Sequence, residues 1–106
     1  MGTLFFGSAR TPLLIDDRLL AHLEIVITSK LRRNEGLLLS WIQPAGDLQR
    51  RGTCWITSST ELLYMFDSGD VAIDRDELER LSVESNSSRG VHLDGAALGE
   101  ELFPSR

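Results

Sequence analysis

The chain has 106 residues, 42% of them hydrophobic and 25% charged, with 16 acidic against 11 basic side chains and a formal charge of -5. That length and balance exclude a disordered polyelectrolyte and a multidomain enzyme, and they suit one domain with its own core. The single cysteine, Cys54, excludes an internal disulfide framework, and no apolar run approaches the roughly 20 residues of a membrane-spanning helix, so the chain reads as cytoplasmic.

Residues 3–6 and 11–15 are short runs rich in aromatic and branched side chains, separated by Gly7-Ser8-Ala9-Arg10, and they read as an antiparallel hairpin. From Asp16 to about Asn34 the apolar period changes from 2 to 3.6. Leu19, Leu20, Leu23, Val26, Ile27 and Leu31 then fall within an arc of roughly 140°, the buried stripe of an amphipathic helix. Asp16 and Asp17 suit its positive end; Lys30, Arg32 and Arg33 suit its negative end; Gly36 is the expected stop. The outward face carries Arg18, His22, Ile25, Ser29 and Arg32.

Three strand-like runs follow, at 37–42, 53–58 and 61–66, and they predict a three-stranded antiparallel meander with a long loop at 44–52. Alternation puts Leu37, Leu39 and Trp41 on one face and Leu38, Ser40 and Ile42 on the other, without saying which meets the helix. A second, short helix is predicted from Asp74, as N-cap, with Glu77 at N3 and Ile73 packing on Leu78. Residues 91–93 suit an optional edge strand. The whole is an α+β fold in one domain over 1–93, a mainly antiparallel sheet with the long helix packed on one face and a tail over 94–106.

The stretch Met1-Gly2-x-Leu4, Gly7-Ser8, Thr11-Pro12, Ile15-Asp16-Asp17-Arg18, Leu20-Ala21-His22-Leu23, Val26-Ile27, Lys30-Leu31-Arg32-Arg33, Glu35 and Ser40-Trp41 resembles an uncharacterised family of roughly 100-residue actinobacterial proteins, often automatically labelled ATP-dependent DNA ligase. All basic side chains but Lys30 are arginine, a bias in keeping with a GC-rich source. The ligase label implies a nucleophilic lysine in a Lys-x-Asp-Gly context and acidic groups for Mg²⁺. Lys30 is followed by Leu31-Arg32-Arg33, and the chain is too short for a nucleotidyltransferase core plus an oligonucleotide-binding barrel, so ligase catalysis is not expected.

No phosphate-cradling glycine loop or nucleophile elbow occurs. His22 with Asp16, Asp17 and Glu24 does not make a shared helix face, and Cys54 has no histidine fixed beside it, so neither a metal, a cofactor nor a catalytic residue is expected. The favoured expectation is a non-catalytic binding or adaptor module that associates with itself or with a protein partner, because a two-faced apolar sheet leaves more surface than one helix covers. The alternative is a nucleic-acid-binding accessory protein in which Arg10, Lys30, Arg32, Arg33, Arg50 and Arg51 form a basic ridge and Trp41 and Trp55 stack on bases. Convergence of those arginines beside exposed indoles separates the two.

Overall fold

The computed structural model describes residues 1–101. The chain order is β1 (Gly2–Phe6), β2 (Thr11–Ile15), α1 (Asp17–Arg32), β3 (Leu37–Ala45), β4 (Leu48–Ile56), β5 (Leu62–Met65), α2 (Arg75–Ser85) and β6 (Val91–Leu93), followed by a 3-10 turn at Gly95–Ala97. This is an α+β fold. The strands form two three-stranded sheets: β2-β1-β5, antiparallel throughout, and β4-β3-β6, in which β6 runs parallel to β3. The expected three-stranded meander is therefore corrected. Its third run, β5, leaves β4 and joins the first sheet, where Leu4 pairs with Tyr64 and Phe6 with Leu62.

The segment expected as a loop at 44–52 is mostly strand. β3 and β4 form a long hairpin that turns at Gly46-Asp47, with glycine at φ 64 in the first central position, as a type II′ turn requires. Pro44 is accommodated because β6 pairs with β3 only from Leu39 to Trp41; beyond that, one side of β3 is an edge that needs no proline N–H. Residues beyond Leu93 lie along β2: Ile15 bridges Leu98, Asp16 N–H donates to the Ala97 carbonyl at 2.7 Å, and Leu98 is buried. Residues 102–106 of the expected tail lie outside the described residues.

One core joins all the layers. Leu4, Phe6, Leu13 and Ile15 from the first sheet meet Leu37, Leu39, Trp41, Ile56, Val91 and Leu93 from the second, with Leu20, Leu23, Val26 and Ile27 of α1 among them. The stripe read from the sequence is the buried stripe, and the face of β3 turned toward it is the one with Leu37, Leu39 and Trp41. Trp41 sits opposite Gly52 in the β3–β4 register; a β-carbon at 52 would overlap the indole. The glycine thus makes room for the ring, which also meets Phe6 edge-on at 5.3 Å between centroids.

The ends of α1 differ from expectation. The stop is Asn34, at φ 56, not Gly36: Asn34 N–H donates to the Leu31 carbonyl and Glu35 N–H to the Lys30 carbonyl, the paired bonds of a Schellman motif. Gly36 instead passes under Trp55, where a β-carbon would lie 2.8 Å from the ring. Asp16 occupies the N-cap position without a side-chain cap bond, while the Asp17 carboxylate accepts from the Asp67 and Ser68 N–H groups and ties down the segment after β5.

The outward face of α1 is not fully exposed, because α2 packs there. His22 is completely buried: its Nδ1 lies 2.6 Å from the Arg18 carbonyl and its Nε2 accepts the Asp74 N–H at 2.9 Å. Asp74 is the N-cap of α2, with Oδ1 accepting from the Asp76 and Glu77 N–H groups. Arg18 closes the junction by binding Asp74 and Glu77, each at 3.1 Å.

Candidate functional site

The six cations expected to form a ridge are not brought to one place. Lys30 is buried near the end of α1, where Nζ donates to Asn86 Oδ1 at 2.9 Å and pairs with Glu35 at 3.3 Å. Arg33 shares the same Glu35 carboxylate and also donates to Ser29 Oγ. These two cations hold the Glu35 carboxyl below the usual carboxylate range, Arg33 more than Lys30. They serve the helix end, which leaves Arg32 as the cation of the trio without an ion pair among the described residues, beside Ile25 in a shallow depression.

Arg10, Arg50 and Arg51 do share a surface feature. They line a cleft of about 330 Å³ together with Thr11, Pro12, Trp41, Gln43 and Glu101. Three separate pieces of chain build it. The β1–β2 turn supplies Arg10, closed by the Arg10 N–H donating to the Gly7 carbonyl at 3.0 Å. Arg10 has φ 53, a left-handed conformation that a side chain with a β-carbon adopts at a cost, and such positions concentrate where the surrounding structure uses them. The hairpin supplies Gln43 and Arg50, which are register partners on the inner face of the second sheet. Arg51, one residue on, pairs with Ile42 on the opposite face and lines both this cleft and the outer groove.

The C-terminal segment supplies the third wall. Glu101 N–H donates to the Pro44 carbonyl at 2.8 Å, and the Glu100 carboxylate accepts from Gly46 N–H at 2.6 Å, so the segment is latched to the β3–β4 hairpin. Glu101 is one of the residues lining the cleft, and its Oε2 is buried without a hydrogen-bond partner among the described residues. Among those residues the arginine ion pairs belong to Arg18, Arg33 and Arg80, and none to Arg10, Arg50 or Arg51. The lining of the cleft thus includes three cations and one anion that form no ion pair among the described residues.

The two tryptophans part company. Trp41 is only 8% exposed and presents an edge to the cleft; Trp55 is 62% exposed, on the outer face of the second sheet across from Leu38. A stacking platform would need an exposed ring beside the arginines, and Trp41 is committed to the core instead.

That outer face carries an arrangement sequence reasoning missed. A groove of about 720 Å³ contains Ser40 and His92, with Ser40 Oγ 3.0 Å from His92 Nδ1 and Asp94 3.5 Å from Nε2. The order of groups is that of a nucleophile, base and carboxylate. Ser40 and His92 are register partners on neighbouring parallel strands, which by itself brings them together, and His92 and Asp94 stand open to solvent, where their attraction is screened. The pairing of β6 with β3 spans some fifty residues and leaves no local trace in the sequence, so His92 could not be assigned a partner there.

The outer face of the first sheet is apolar. Thr3, between Leu14 and Met65, and Phe5, between Pro12 and Leu63, form two cross-strand rows on it. Leu63 and Met65 are 40% and 53% exposed. Among the described residues no group of three or more His, Cys, Asp or Glu side chains is placed to hold a metal ion, and no helix is long and apolar enough to cross a membrane. A family model described as a domain of unknown function (DUF7882) matches residues 1–96. No curated protein and no solved structure matches the chain.

Proposed function

The chain belongs to the DUF7882 family, a domain of unknown function, and from that premise we propose that it is a small binding module that pairs with a second copy of itself through the outer face of its first sheet. The observation that carries this reading is the pair of cross-strand apolar rows, Met65-Thr3-Leu14 and Leu63-Phe5-Pro12. Alternating strands normally turn polar side chains outward when a face stays in water; here that face is largely apolar on all three strands. A two-fold pairing would bury it against itself, the commonest arrangement for self-complementary patches. The single free thiol, Cys54, suits a module that works in a reducing, cytoplasmic setting.

The test is the mass in solution. Light scattering after size-exclusion chromatography should give a dimer at micromolar concentration, and Leu63→Asp with Met65→Asp should give a folded monomer. A wild-type monomer at high micromolar concentration would overturn the reading.

The convergence of Arg10, Arg50 and Arg51 favours a second reading, in which the module holds nucleic acid by its phosphates. Lys30, Arg33 and Trp41 do not join that cluster, since Lys30 and Trp41 are buried and Arg33 pairs with Glu35 at the end of α1. Ligase catalysis stands outside both readings, because Lys30 is the chain's one lysine and is held by Asn86 and Glu35. Covalent AMP on Lys30 after incubation with ATP would reverse that judgement.

A further inference from the structure

We propose that the cleft between the first turn and the long hairpin binds a compact phosphate-bearing ligand, and that the Glu101 side chain is its internal competitor; this rests on the arginine cluster of the second reading above. A volume of about 330 Å³ lies at the small end of ligand pockets, room for a sugar phosphate or mononucleotide rather than for a polymer. Arginine is the side chain best suited to a phosphate, because its planar fork donates two parallel hydrogen bonds to two oxygens. Arg50 supplies donors on one wall, beside Gln43, whose amide already donates to the Gly99 carbonyl, and Arg10 and Thr11 line the cleft from the first turn.

Glu101 explains why such a site stays stable without its ligand. A cleft lined by guanidinium groups repels itself, and an anionic residue held in its wall by the latched C-terminal segment offsets part of that repulsion. The same carboxylate is poorly placed to keep its position, because one oxygen is buried with no donor. An incoming dianion that satisfies both arginines would displace it, and the segment's own backbone bond, from Glu101 N–H to Pro44, need not break.

The experiment is calorimetric titration of the full chain with inorganic pyrophosphate, with sulfate as a control anion, and fluorescence anisotropy with a single-stranded oligonucleotide across a salt series. Pyrophosphate should bind. Glu101→Gln, which keeps shape and removes charge, should tighten it by about three- to tenfold, the worth of one nearby like charge at a surface site. Arg50→Ala should weaken it about tenfold or more, whereas Arg32→Ala, whose side chain lines a different depression beside Ile25, should change it little. Unchanged thermal melting of each variant keeps folding out of the result. Oligonucleotide binding with a steep salt slope, no pyrophosphate binding and no effect of Glu101→Gln would overturn this inference while sparing the nucleic-acid reading; absence of binding by either probe would sink both.

Discussion

His22 Nε2 accepts the backbone N–H of Asp74, so a side chain from the middle of α1 satisfies the N-cap amide of α2. In a capping box that amide is met by the residue at N3, here Glu77, but Glu77 has turned away to Arg18. Accepting at Nε2 requires a neutral ring whose proton sits on Nδ1, where it donates to the Arg18 carbonyl. Beside the Arg18 and Lys30 contacts, the two helices are therefore joined by an imidazole that uses both nitrogens and is wholly removed from water.

Replacing that imidazole should cost more than its size suggests. His22→Ala is expected to destabilise the fold by about 2–3 kcal/mol, combining lost packing with the unpaired Asp74 N–H. His22→Phe restores volume but not the acceptor, and should remain clearly destabilised. Asp74→Ala should cost about 1 kcal/mol through the cap alone. Urea denaturation measures all three; a His22→Phe variant as stable as the wild type would show that the contact is incidental.

Gly52→Ala tests the space under Trp41. The added methyl overlaps the indole of a well-packed core, for which about 1–3 kcal/mol of destabilisation is usual. The same substitution placed in a Trp41→Leu background should cost less, because the smaller side chain vacates the site. Equal costs in both backgrounds would mean that strand backbone, and not the ring, demands the glycine.

Tyr64 gives an alkaline signature. Burial, with a smaller contribution from Glu24, raises its phenol above the usual value of 10. In the unfolded chain the phenol ionises near pH 10, so above that pH the folded state holds a proton that the unfolded state has lost. Stability should then fall as pH rises beyond about 10, and Tyr64→Phe should flatten that part of the profile. An unaltered urea midpoint profile in the variant would remove the claim.

Cys54 should behave as a muted thiol. Burial against the core raises its ionisation above the ordinary range, which lowers the thiolate fraction near neutrality. Alkylation at pH 8 is expected to proceed several-fold more slowly in the native chain than in the same chain in denaturing urea. Equal rates would show that Cys54 is free to react.

What could be read from the residues was whatever their neighbours in sequence decide. The leucine stripe of α1, the β1–β2 hairpin around Gly7 and the Asp74 cap all follow from periods, turn types and caps spanning a few positions. The third strand-like run resembled a meander partner because Ser59-Thr60 is short, yet its residues pair with β1, some sixty positions away, and no local rule selects that partner. Arg50-Arg51 and Gln49 looked like loop because polar side chains suit the exposed arm of a hairpin as well as a loop. A helical wheel places His22 outward because it shows one buried stripe, and the second contact surface appears only once α2 is in place. For the candidate site, three of the six cations could be brought together from sequence only by knowing that the first turn and the long hairpin meet; Glu101 had no signal at all.

The strands of the two sheets are interleaved along the chain: β1, β2 and β5 build one, β3, β4 and β6 the other. Any cut from the end of β3 to the start of β5 therefore severs both sheets, and neither fragment inherits a complete layer. A working minimal version of this protein cannot be obtained by shortening it inside those limits, whereas two co-expressed pieces would each carry the missing edge of the other and could report on their own reunion.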